Sequence, residues 1–268
     1  MQRQPFLALF SRHNLITTRR IAEREIRTRV VGTSLGLAHY FITPLFYLAV
    51  YTYLFSAVFV SRWTGGGEGF GDFALRIYAG LILFQFFADV VGRAPRLMLE
   101  NPSYVTKIAF PLEILVPAAI AASLFATAVN YAMLLLAYFV LVGWPPPSVL
   151  ALPVIWPALA LFVAGLSWML AALGVYLRDL GQLVSTILPA LIFLTPIFYP
   201  LASVPQALRV VLLANPLAWF VEATRGALID GIWPGLVLLS GLWMVGLGTA
   251  LAGHWLFQRT KHGFADVV

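Results

Sequence analysis

The sequence predicts an all-α integral membrane protein. Six transmembrane helices are expected, with an amphipathic interfacial helix before the first and a re-entrant outer hairpin between the fifth and sixth. Three observations carry this. Hydrophobic residues make up 61% of the 268 and charged ones 10%, where a soluble domain carries roughly 25% charged. Six apolar runs approach or exceed the ~20 residues that a helix needs to cross a bilayer core, and lipid offers no partner to a non-helical backbone. Lysine and arginine are unevenly divided between the segments linking those runs.

The elements follow in order. Residues 1–36 are arginine-rich and lack the compact apolar core of a cleavable signal. Within them, residues 13–35 place Leu15, Ala22, Ile26 and Val30 on one side and Arg20, Arg24 and Arg27 on the other, with Arg19 intruding on the apolar side. This fits an interfacial helix whose arginines meet anionic headgroups, and equally a charged lead-in that fixes topology. The spans then cover Leu37 to Val60, Phe73 to Val91, Pro111 to Val142, Val149 to Leu177, Gln182 to Tyr199 and Leu236 to Phe257. With both termini inside, thirteen of the 17 lysines and arginines are inner and four (Arg62, Arg76, Arg209 and Arg225) are outer, so both ends are expected to face the cytoplasm.

Two outer links are turns. The glycine-rich Trp63–Gly71 stretch lacks the lysine and strand-to-helix setting of a phosphate loop, and Trp144–Pro147 is a stiff break. Three other segments hold most of the polar chemistry. In the inner loop Arg93–Glu113, Asn101 and Pro102 suit a helix start, so a short helix over about 101–109 is expected, ending before Pro111. It would present Tyr104, Val105 and Ile108 beside Glu100 and Lys107 on the cytoplasmic side. It reads either as a lever gripped by another protein or as a capped connector. The inner link at Tyr176–Leu183 places Arg178 and Asp179 at the membrane boundary, as a partner contact or as snorkelling topology markers.

The third segment, 200–234, contains apolar pieces of about 204–213 and 217–229, too short to span singly. Asn215 and Pro216 break the chain between them, Ser203 is a candidate cap, and Arg209, Glu222, Arg225 and Asp230 are expected to keep the hairpin near water. Such a hairpin suits an outer gate.

What the spans lack narrows the function. Ionisable groups are nearly absent from their interiors, so no proton- or sodium-coupled engine is legible. Asp89 can pair with Arg93 one turn on. There is no GxxxxGK[ST] run, so any pump must take its energy from a separate subunit. The absence of cysteine excludes thiol catalysis and thiolate metal sites. The basic amino-terminal arm is explained by the membrane rather than by nucleic acid. Aromatic side chains recur at helical spacing: Tyr40, Tyr47, Tyr51 and Phe55 in the first span, Phe84 and Phe87 in the second, Phe193, Phe198 and Tyr199 at the end of the fifth. They can stack on sugar rings, although spacing alone favours packing or an interfacial belt.

Four runs together resemble the permease subunits of type-2 ABC exporters, most closely the polysaccharide and lipopolysaccharide O-antigen branch. They are Glu100–Val116 (ENPSYVTKIAFPLEILV), Gly174–Val184 (GVYLRDLGQLV), Leu194–Pro200 (LTPIFYP) and Asn215–Leu228 (NPLAWFVEATRGAL). Their order and spacing match over nearly the whole chain. The resemblance implies a homodimer of six-span subunits (residues 37–268) in a bacterial inner membrane, paired with two ATP-binding cassette subunits that hold ATP and magnesium; this chain would carry no cofactor. It implies that the 101–109 segment, with Glu100, Asn101, Pro102, Tyr104 and Lys107, is a coupling helix seated in the ATPase, and that Arg178 and Asp179 form a second contact. The 200–234 hairpin, with Arg209, Asn215, Pro216, Glu222 and Arg225, would be the outer gate. Aromatics would line a channel for lipid-linked polysaccharide. Teichoic-acid and capsule exporters share this architecture, as do drug and lipid exporters; a membrane glycan transferase is the alternative from another class.

Overall fold

The computed structural model describes residues 11–31, 70–105 and 110–267, with the single positions Phe6, Leu9, Ile42, Phe46, Ala49, Val50 and Tyr53. The expected first span, with Tyr40, Tyr47, Tyr51 and Phe55, lies outside the described residues, as does Lys107. The described residues form helices joined by turns and loops, with no strand among them. The α-helices are α1 (Arg12–Val31), α2 (Phe70–Arg93), α3 (Pro102–Val105), α4 (Leu115–Leu141), α5 (Leu152–Tyr176), α6 (Leu180–Leu191), α7 (Gln206–Leu213), α8 (Pro216–Leu228) and α9 (Leu236–Thr260).

Four of these, with their flanking 3-10 turns, are long and apolar enough to cross a membrane: Ala74–Arg96, Leu112–Leu141, Pro147–Tyr176 and Leu236–Phe264. A fifth crossing exists if α7 and α8, bent by 94°, count as one broken span. α2 is the central helix, with 83% of its apolar window enclosed; α9 is peripheral at 22%. The lateral face of α9, with Val237, Met244, Leu251 and Trp255 exposed, is the surface that lipid would cover.

α5 and α9 pack almost backbone to backbone. A Cβ added to Gly165, Gly246 or Gly253 would run into the main chain of Thr249, Ala158 or Gly165 respectively. Lipid tails are as apolar as leucine, so burial from water does not hold such helices together; close approach of small residues does. Aromatic contacts link α2, α5 and α8: Phe86 with Trp156 (centroids 5.4 Å), Phe87 with Phe162 (6.4 Å), and Phe162 with Phe220 (5.9 Å).

The fifth span is shorter than expected. α6 covers only Leu180–Leu191, with Pro189 inside it, and residues 192–199 run as turns rather than continuing the helix to Tyr199. Pro196 has no N–H to offer. The helix end is closed locally: the N–H groups of Phe193 and Leu194 donate to Ala190 O (3.1 and 3.3 Å), and the Thr195 hydroxyl donates to Leu191 O (2.9 Å).

α1 is a helix close to its expected bounds, and Ala22, Ile26 and Val30 of its expected apolar side are buried or half-buried; Leu15 departs from that pattern. Asn14 and Ala22 are its buried residues, while Leu15 and Ile16 are exposed. Arg12, Arg19, Arg20, Arg24 and Arg27 are all exposed as well.

Candidate functional site: an anchored inner tip and a broken outer hairpin

At the inner end, α2 runs into a 3-10 turn (Ala94–Arg96), a tight turn and then α3. Asn101 N donates to Met98 O (3.1 Å), and the Asn101 side-chain amide donates back to Leu97 O (2.9 Å). Tyr104 N donates to the Asn101 carbonyl (3.0 Å), which opens α3 at Pro102 as the sequence requires. Only Pro102–Val105 of the expected 101–109 helix is seen; residues 106–109 lie outside the described set.

The turn has an anchored base and an exposed tip, and Val105, expected on the presented face, belongs to the base. Met98 and Val105 are fully enclosed, and a Cβ on Gly174 of α5 would strike Pro95. Tyr104 stacks on Phe110 (4.4 Å), with the Arg24 guanidinium over its ring (5.7 Å). Glu100, Pro102 and Ser103 stand exposed at the tip. Arg178 and Asp179 are exposed nearby in sequence to Gly181, where a Cβ would press on the Arg96 side chain, so the two inner segments adjoin. The Asp179 carbonyl starts α6 by accepting from Gln182 N and Leu183 N (3.0 and 3.1 Å).

An ion network ties α1 to the inner end of α2. Arg29 pairs with Asp89 (3.1 Å) and Glu25 (2.8 Å), and Arg93 pairs with Asp89 (3.2 Å) and with Glu25. The Asp89–Arg93 pair is the one expected from their spacing. The two α1 partners, sixty or more residues away in sequence, could not be read from it. Burial by itself would lower the pKa of the Arg29 guanidinium, but Asp89 and Glu25 outweigh it and raise the value above its usual level, so the group stays charged. A second inner pair is fully enclosed: Lys261, just past α9, lies 3.5 Å from Glu113 at the foot of α4. Trp168 of α5 donates to the Glu113 carbonyl (3.0 Å) and meets the His254 ring edge-on (5.3 Å). Lys261 reads in the sequence as a topology marker; its buried partner has no local signal.

The helix pair α7–α8, bent by 94°, is asymmetric. α7 leaves Leu208, Val210 and Val211 exposed, whereas α8 is core. The Asn215 side chain accepts from Leu217 N (3.0 Å), capping α8, and its amide donates to Thr195 Oγ1 (3.0 Å) and Leu194 O (3.2 Å). Ser203 does not cap α7; Pro205 holds that position without a side-chain bond. Arg209 reaches Val204 O at 3.4 Å.

Arg225 corrects the expectation that it keeps the hairpin near water. Its side chain is 2% exposed. Nε donates to Arg76 O (2.9 Å), Nη1 to Pro196 O (2.5 Å) and Nη2 to Ile197 O, while Glu222 lies 3.5 Å away. Arg76 pairs in turn with Asp230. The buried charge is thus spent on two carbonyls in the turns after α6 and one in the first turns of α2. Irregular backbone at membrane depth persists only with such partners.

The aromatic residues divide. Phe84 and Phe87 are buried in the subunit's own core, in contact with each other and, through Phe87, with Phe162. That placement corrects the expectation that they line a channel: their rings are used up in packing. Phe193 is 65% exposed, beside Phe198 (5.8 Å), and the Tyr199 hydroxyl donates to Phe193 O (2.6 Å). Among the described residues, no three His, Asp or Glu side chains come close enough together to hold a metal ion.

Four helices long and apolar enough to cross a bilayer, with the bent α7–α8 pair beside them, define a multi-pass membrane protein. Residues 17–229 match the profile of the ABC-2 type transporter family, and the chain belongs to that family. It is similar to the O-antigen export system permease protein RfbA of Myxococcus xanthus, at 25% identity over 250 residues, covering 92% of this chain and 94% of the relative. A protein of the same name from Klebsiella pneumoniae is 21% identical over 249 residues (92% and 93%). The polysialic acid transport protein KpsM of Escherichia coli is 25% identical over 247 residues (92% and 94%).

Proposed function

We propose that this chain is the membrane permease of an ATP-driven exporter that carries lipid-linked O-antigen polysaccharide across a bacterial inner membrane. The observation that carries the reading is similarity to O-antigen export permeases along more than nine-tenths of both chains. In this reading the chain has six spans, the first within residues 37–60, and both termini are cytoplasmic. Two copies enclose the channel, and two ATP-binding subunits, which hold ATP and magnesium, seat against the inner tips. ATP-driven closure of those subunits pushes on Glu100, Asn101, Pro102, Tyr104 and Lys107, with Arg178 and Asp179 as a second contact.

The anchored base at Met98 and Val105 supports a lever role, because a push on an exposed tip above a packed base moves the helices behind it. Phe193, Phe198 and Tyr199, with Tyr40, Tyr47, Tyr51 and Phe55 from the first span, offer stacking faces for sugars. Many weak contacts suit a sliding polymer better than one strong site. The α7–α8 hairpin, with Arg209, Asn215, Pro216 and Glu222, forms the outer gate.

The test is co-expression with a candidate ATP-binding cassette subunit from the same organism. Wild type should co-purify with that subunit and restore surface O-antigen in cells lacking the chain. Glu100→Arg combined with Tyr104→Ala should abolish both. Assembly and export unchanged in that variant would refute the lever. The KpsM similarity favours a second reading, a capsular polysaccharide exporter. Intracellular accumulation of undecaprenyl-linked glycan on deletion supports O-antigen; accumulation of capsule polymer supports the second reading.

A further inference from the structure

A groove of about 840 Å³ opens on the side of the bundle, walled by α4, α5 and α9 and floored at one end by α1. Leu15, Pro117, Leu124, Trp156, Trp168 and Trp243 are among its lining residues, and Thr18 stands at the α1 end. Along α5 the lining runs from Trp168 to Pro153, about 22 Å at 1.5 Å per residue. That is roughly three quarters of a ~30 Å hydrocarbon core, so the groove reaches from its α1 end past the midplane. Its floor is level with the Trp168–Glu113 contact at the foot of α4, which places it at the inner leaflet.

The floor helix supplies charge. On α1, Arg12 and Arg19 lie three residues before and four after the lining residue Leu15, on the same helical face. Both are exposed. Arg19 contacts Glu23 (2.7 Å) through Nε, in a pair whose side chains are 82% and 49% exposed. A pair that exposed is weak and yields readily to a phosphate. A long apolar groove, with two exposed arginines on the face of α1 that carries Leu15, matches the chemistry of an anionic lipid.

We infer that the groove between α4, α5 and α9 is a binding site for one anionic phospholipid of the cytoplasmic leaflet, its acyl chains along Trp156 and Trp168 and its phosphate on Arg12 and Arg19. The inference rests on the membrane orientation proposed above. A lipid held there would tie α1 to α4 and α5, and so steady the helix that clasps Asp89 and Arg93 beside the inner tip.

The test is native mass spectrometry of the purified full chain released from nanodiscs of equal phosphatidylglycerol and phosphatidylethanolamine. Wild type should retain one phosphatidylglycerol in preference to phosphatidylethanolamine. Removing charge with Arg12→Gln and Arg19→Gln should erode the preference about fivefold for each arginine lost. Ala160→Trp, which fills the groove, should abolish retention of either lipid while leaving the purified chain monodisperse. Retention without preference, a preference untouched by the double glutamine variant, or no retained phospholipid at all (the groove being filled by another part of the chain) would each overturn the inference. No ATPase or transport step enters this measurement. Lipid retention by a chain that fails to export would therefore leave the site standing while the export reading fell.

Discussion

Arg225 is the residue on which the outer half depends. It satisfies three carbonyls from two other segments, at Arg76, Pro196 and Ile197. Replacement by methionine keeps much of the volume and leaves those acceptors without it, at ~1–3 kcal/mol for each group left unsatisfied. Arg225→Met should therefore lower the midpoint of thermal unfolding in detergent by many degrees. Glu222→Gln, at a 41% exposed side chain 3.5 Å from Arg225, should change it little. Equal effects would show that Arg225 acts through its ion pair and not through the carbonyls. The inner network is milder, since its four side chains are a quarter to a third exposed. Asp89→Asn should cost about 1 kcal/mol or less. Its larger effect should fall on the ATPase rate of the assembled complex, read against unchanged assembly. The sequence makes Asp89–Arg93 legible because both sit on one helix. It conceals Arg225's role, since an arginine in a short apolar run looks the same whether it faces water or caps a distant turn.

Among the elements, the α5–α9 contact is the tightest packing. Gly253→Leu has no space at Gly165, so the two helices must part, and the variant should fail to yield a monodisperse protein. Gly248 lies on the same helix with nothing within 4 Å of an added Cβ. Gly248→Leu should behave as wild type in the same gel-filtration measurement. If both variants fail alike, helix propensity and not packing decides. Hydropathy reveals α2, α4, α5 and α9 within a few residues, since length and composition are all that a span requires. It overextends the fifth, because the run to Tyr199 stays apolar after the helix stops. Pro189 and Pro196 are visible signals, but the break holds only through a partner on α8. The face that α1 turns to the bundle was legible at Ala22, Ile26 and Val30 but not at its start, where Asn14 is buried and Leu15 is not, the reverse of what hydrophobicity suggests.

For the whole molecule, the inner surface is built from distant segments: the tip at 97–105, the link at Arg178–Asp179, α1, and Lys261 on Glu113. The sequence identifies the first two by their motifs and gives no sign of the last. Lys261→Ala would leave the enclosed Glu113 carboxylate without its cation, a loss of about 3–5 kcal/mol for a buried pair. Expression should drop sharply, and the Glu113→Gln, Lys261→Met double variant should recover most of it. A double variant no better than the single would mean that the pair's charge itself is needed. The Arg225 cluster bears on how a passage could widen. One guanidinium grips the loop after α6 and α8 at once, so those two pieces swing as a plank rather than flexing apart. Spin labels at Ile192 and Trp219 should keep a constant separation through the nucleotide cycle, while the distance from either one to Trp255 changes.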